Sequence, residues 1–134
     1  MKSPRLGVNI DHVATVRNAR GEIYPSPLRA ALLVKKFGGN SVTLHLREDR
    51  RHINDNDLHQ IKKKSTIPIN LEIAPTEEML KIALKYLPNS ICIVPEKRKE
   101  ITTEGGLNLN KNLKIIKKII KKLKKKNIRT SLFI

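Results

Sequence analysis

Tryptophan is absent from the 134 residues, and phenylalanine and tyrosine occur twice each. So few flat side chains leave little on which nucleic-acid bases could stack. Cysteine is nearly missing as well. The single Cys92 excludes an internal disulfide and fits a reducing compartment. It sits in the apolar run SICIVP, where a buried thiol is expected rather than a nucleophile. No apolar run approaches the roughly 20 residues of a membrane-spanning helix. The opening MKSPRLGVNID also lacks the apolar core of a secretory leader. The expectation is a cytoplasmic protein with no membrane partner. Cysteine clusters, HExxH and phosphate-loop patterns are missing too, so no motif points to a metal site.

Acidic residues are the other shortage. Lys and Arg number 28 against 12 Asp and Glu, a formal net charge of +16. The imbalance is local. Residues 111–126 hold nine lysines and no acid, leaving +7 for the rest. In that segment Leu113, Ile116, Ile120 and Leu123 recur at helical spacing, with Ile115 and Ile119 widening the stripe. The lysines therefore read as the solvated face of an amphipathic helix, and no nucleic-acid partner is expected.

What the chain does have is alternation. RLGVNI, SVTLHL, PINLEI, SICIVP and IRTSLFI read as strands. Helices are expected between them over SPLRAALLVKKFGG, DLHQIKKK, TEEMLKIALKYL and the lysine-rich segment, with a long loop after the first strand. Ser26 and Thr76 stand as N-caps, Pro27 at a first helical position and Gly38 just past a helix end. Strands alternating with helices pair in parallel through right-handed crossovers. The 134 residues read as one α/β domain.

Strand parity narrows the architecture. Side chains alternate faces along a strand. Leu6, Val8 and Ile10 share one face, and Gly7, Asn9 and Asp11 the other. Val42, Leu44 and Leu46 oppose Thr43, His45 and Arg47, while Ile69, Leu71 and Ile73 oppose Asn70 and Glu72. Buried parallel strands normally read as continuous apolar runs. Ionisable groups on one face are costly unless they line a cavity or pair with each other. A barrel resolves this, with apolar faces on the helices and polar faces converging at a mouth built from C-terminal strand ends. The expected fold is therefore a (β/α)8 barrel of which this chain covers about (βα)4β. The group Asn9, Asp11, His12, His45, Arg47, His52 and Glu72 then falls at one end of it.

Four stretches, GVNIDHVATVRNARG, HLREDRRHI, NLEIAPTEEM and VPEKR…TTEGGL, closely resemble the signatures of the pyridoxine 5'-phosphate synthase family. The resemblance runs in order from Leu6 to Ile134. It implies a TIM barrel, no metal or organic cofactor, phosphorylated small-molecule substrates and a homo-oligomer. The implied reaction, in vitamin B6 biosynthesis, condenses 3-amino-2-oxopropyl phosphate with 1-deoxy-D-xylulose 5-phosphate. Its products are pyridoxine 5'-phosphate, phosphate and water. The implied roles put His45 and Glu72 as proton acceptors and Asn9 and Arg20 on the aminoketone phosphate. Asp11, His12, Arg47, His52 and Thr102 would contact the deoxyxylulose phosphate. Members of that family are longer than this chain. A catalytically incompetent half-barrel of the same ancestry therefore stays open beside the enzyme, as does a basic nucleic-acid-binding module.

Overall fold

The computed structural model describes residues 3–96 and 105–134. Ten elements follow one another: β1 (Gly7–Asn9), α1 (Asp11–Arg20), α2 (Pro27–Lys36), β2 (Ser41–His45), α3 (Asp55–Lys64), β3 (Ile69–Ile73), α4 (Glu77–Tyr86), β4 (Ser90–Ile93), α5 (Leu109–Lys124) and β5 (Arg129–Leu132). The five strands form one sheet in the order β1-β2-β3-β4-β5, every neighbouring pair parallel. An open doubly wound sheet reverses its strand order part-way across. Here each strand instead lies beside its successor in sequence, as in a barrel wall.

The expected caps form. The Ser26 hydroxyl accepts the Arg29 N–H and the Thr76 hydroxyl accepts the Met79 N–H. Gly38 takes the left-handed φ of 87° that lets the chain leave α2. Asn54 and Asp57 close a reciprocal capping box on α3. One expectation is corrected. Residues 11–20, read as loop, form α1, which ends at Gly21 with φ 66°. Its sequence carries Val13, Thr15 and Val16, poor helix formers, and shows no clean apolar stripe. Tertiary contacts of Asp11 and Arg17, described below, hold it in place.

The apolar parity set is the core. Val42, Leu44, Leu46, Leu71, Ile73, Ile91 and Ile93 have no accessible surface, and they pack with Leu58, Ile61, Met79, Ala83, Ile119 and Leu123 from the helices. Fully burying each such side chain stabilises by about 1.5–3 kcal/mol. In α5 Ile116, Ile119 and Leu123 are buried and Ile115 and Ile120 pack partly against the core, while Leu113 lies exposed. Among the described residues, no helix is long and apolar enough to cross a membrane.

The opposite face is polar, and register arranges it in rows. Asn9, Thr43, Asn70, Ser90 and Arg129 are successive partners across the five strands. The next row toward the C-terminal ends is His45, Glu72, Cys92 and Ser131. In the first row the Asn70 amide donates to Thr43 Oγ1 (3.3 Å) and the Ser90 hydroxyl donates to Asn70 Oδ1 (2.9 Å). Below it opens a cleft of about 680 Å³ whose lining includes Arg5, Asn40, Asn89 and Arg129.

Candidate active site

The C-terminal strand ends are built from side chains that fix one another. Where β1 passes into α1, the Asp11 N–H donates to Asn9 Oδ1 and the Asn9 amide donates back to Asp11 Oδ2, both at 2.9 Å. That exchange aims the other Asp11 oxygen across to β2, where it accepts the His45 backbone N–H at 2.7 Å. The end of β1 thereby sets the end of β2. His45 is buried, as are Asp11 and Arg47.

His45 stands between two carboxylates. Glu72 is its register partner on β3. Burial pushes the Glu72 carboxyl above its ordinary range, with nearby His45 opposing this and Asp11 adding to it. The second carboxylate is Glu96, just beyond β4. Its Oε2 lies 3.3 Å from His45 Nε2, its Oε1 accepts the Glu48 N–H at 2.8 Å, and Arg47 Nε is 3.9 Å from Oε1. The Glu96 side chain is only 1% exposed. Burial alone would push its carboxyl up. The His45 bond, the Glu48 N–H and the charge of Arg47 together outweigh that and hold it below the ordinary carboxylate value.

His52 closes the group from the loop after β2, its ring centroid 6.0 Å from that of His45. Its Nδ1 accepts the Ile53 N–H at 2.8 Å, so the neutral ring carries its proton on Nε2. Burial pushes its pKa down, Asp11 resists, and the positive neighbours His45, Arg47 and His12 reinforce the drop. The loop itself is tied down from behind. The Arg17 guanidinium on α1 makes two hydrogen bonds to Asp57 (2.5 and 3.0 Å) and a third to the His52 carbonyl (3.3 Å). The Asn18 amide donates to the Arg51 and His52 carbonyls. Arg50 bonds Asp55 and Glu78, and Arg51 bonds Asp49, whose carboxyl is lowered to about 2, chiefly by that bond.

Asn9, Asp11, His45, Arg47, His52 and Glu72 therefore come together. His12 is exposed in the first turn of α1, with Nδ1 3.4 Å from the Thr15 hydroxyl, and its charge is felt at His52. Arg20 is exposed at the far end of α1, one turn beyond Arg17. Thr102 lies outside the described residues. Cys92 is half-buried beside Ser131, and burial pushes its thiol up, away from nucleophilic character. Among the described residues, no group of three His, Cys, Asp or Glu side chains is arranged to hold a metal.

Three participants escaped the sequence reading. Arg17 and Asp57 meet across 40 residues and carry no local signal. Glu96 did have one: carrying the parity of β4 past its end, through 90, 92, 94 and 96, puts it on the polar face.

A sequentially wound parallel sheet with titratable groups gathered at its C-terminal ends is the arrangement of the barrel-type α/β class. Residues 6–134 match the family model described as pyridoxal phosphate biosynthesis protein PdxJ, and the chain belongs to that family. It is 65% identical over 130 residues to a pyridoxine 5'-phosphate synthase of Pelagibacter ubique, covering 97% of this chain and 54% of that protein. Proteins of the same name from Zymomonas mobilis (58%, covering 99% and 52%) and Aquifex aeolicus (57%, covering 97% and 54%) are similarly close. The chain spans about half the length of these curated relatives.

Proposed function

We propose that this chain carries the first-half catalytic constellation of a pyridoxine 5'-phosphate synthase. It would act on 3-amino-2-oxopropyl phosphate and 1-deoxy-D-xylulose 5-phosphate in the cytoplasm, as a homo-oligomer. The observation that carries the reading is the placement of His45 beside Glu72 at the strand ends, within a family whose curated members bear that name.

The chemistry suits the groups. Joining an amine to a ketone and closing a ring requires protons to leave carbon beside an imine, and hydroxyl and phosphate groups to depart. A histidine and a carboxyl raised by burial are groups able to take up and return such protons. Arg47 and Arg20 supply guanidinium groups matched to phosphate oxygens, and His52 offers Nε2–H as a neutral donor. Asn9 and Asp11 hold the backbone of the base in register. Two substrates fixed side by side gain most from such positioning.

The test is pyridoxine 5'-phosphate formation from both substrates by the purified chain, together with ligand-induced shifts of the His45 and His52 ring resonances. Turnover, or saturable binding of either phosphate that Arg47→Ala abolishes, supports the reading. Neither turnover nor binding at millimolar substrate sinks it and leaves the incompetent half-barrel.

A further inference from the structure

We infer that Glu96 is a positioning residue for His45, selecting the ring tautomer whose Nδ1 is the proton acceptor. This deepens the function proposed above and rests on it for the role of His45.

The geometry starts from Glu96, an acceptor on both oxygens. Oε1 is taken by the Glu48 backbone N–H at 2.8 Å, a bond that orients the carboxylate, and Oε2 faces His45 Nε2 at 3.3 Å. An ionised carboxylate has no proton to give, so the hydrogen in that contact belongs to the ring nitrogen. Neutral His45 is then the Nε2–H tautomer, with its lone pair on Nδ1. Among the described residues, Nδ1 has no hydrogen-bond partner. The His45 backbone N–H is held by Asp11, and its side chain is 6% exposed. One ring nitrogen is committed and the other is left for the substrate, the division of labour that makes a buried histidine a directional base.

The proton step balances simply. A C–H bond beside the carbon of the substrate's protonated imine breaks, and its electron pair moves into the C=C bond of a neutral enamine. The proton goes to Nδ1. The ring becomes imidazolium, with Glu96 as its counter-charge. When a hydroxyl group later departs, the ring returns the proton and water leaves. Glu96 keeps its charge throughout.

The Glu48 N–H makes the arrangement testable. In Glu96→Gln the backbone N–H requires the amide oxygen, which turns the amide nitrogen toward His45. That nitrogen donates, so it demands a lone pair on Nε2 and drives the ring to the Nδ1–H tautomer. Long-range ¹⁵N–¹H correlation of the labelled chain reads both states directly. Wild type is expected as Nε2–H and Glu96→Gln as Nδ1–H, while Glu96→Ala mixes the two. In turnover, Glu96→Gln should lose about 10²-fold in kcat with KM changed less than about threefold. Wild-type His45 found as Nδ1–H overturns the inference, whether or not any variant folds. So does an unchanged tautomer in folded Glu96→Gln, or a wild-type kcat in a variant whose parent depends on His45. If no form turns over or binds either substrate yet the tautomer inverts, the synthase reading fails and the positioning role stands.

Discussion

The two ends of one sheet face make a natural contrast. Toward the N-terminal ends, Thr43, Asn70 and Ser90 form a neutral ladder of hydroxyls and amides bonded along the register. One pleat repeat further on, His45, Glu72, Asp11, Arg47 and Glu96 crowd ionisable groups together, with burial shifting Glu72 and the partners of Glu96 shifting it the other way. The backbone is the same and the strands are the same. A neutral hydrogen bond contributes about 1 kcal/mol, and losing one end of it is a local matter. Buried charges depend on each other, since any one left alone costs several kcal/mol. The ladder end behaves as scaffold and the charged end as a coupled unit.

Substitutions can break that contrast, and the largest effects belong to the charged end. His45→Ala and Glu72→Gln should each lower product formation about 10²–10⁴-fold, and His45→Ala, which leaves Glu96 buried without its ring partner, should also lose roughly 3 kcal/mol in urea denaturation. A wild-type urea midpoint for His45→Ala would show that the charged end is not a coupled unit. Next comes the pair behind the rim. Arg17→Met leaves Asp57 buried without its guanidinium, and roughly 3 kcal/mol should be lost in urea denaturation.

At the neutral end, Thr43→Val removes a hydroxyl that accepts from the Asn70 amide. It should cost about 1 kcal/mol, and binding of the phosphorylated substrates should not change. A large loss of binding would show that the rows are not separate.

Acidification sharpens the contrast further. Folded His52 has a pKa below the ordinary 6.5. As pH falls through 6.5 the unfolded chain takes up a proton that the folded chain resists. Unfolded molecules then bind more protons, and stability falls as pH drops through 6.5. Glu72 works in the opposite direction, because its raised carboxyl makes the folded state the better proton binder as pH falls into the carboxylate range. His52→Gln should flatten the decline in Tm as pH falls through 6.5, whereas Thr43→Val should leave its slope unchanged. The smallest effect belongs to neither end. Glu77 pairs with Lys118 on the outer surface, both side chains about half exposed, and Glu77→Gln should change stability by less than about 0.5 kcal/mol.

Local rules made much of this legible in the amino-acid order. Ser26, Thr76, Pro27 and Gly38 mark helix ends because caps act within a turn. Strand parity separates Val42, Leu44 and Leu46 from Thr43, His45 and Arg47 because successive side chains must point to opposite faces. The family signatures, which the match over residues 6–134 bears out, are likewise written in contiguous stretches. Tertiary structure decided the rest. Residues 11–20 lack the periodicity that announces a helix, and α1 stands because Asp11 reaches His45 and Arg17 reaches Asp57, 34 and 40 residues away. Glu96 meets His45 across 51 residues. A side chain's parity says which face it joins, but only the sequential strand order β1-β2-β3-β4 brings those faces side by side. Capping and pleating are settled by neighbours in the chain. Which charge answers which is settled by distances in space, where burial makes an unanswered charge too costly to keep.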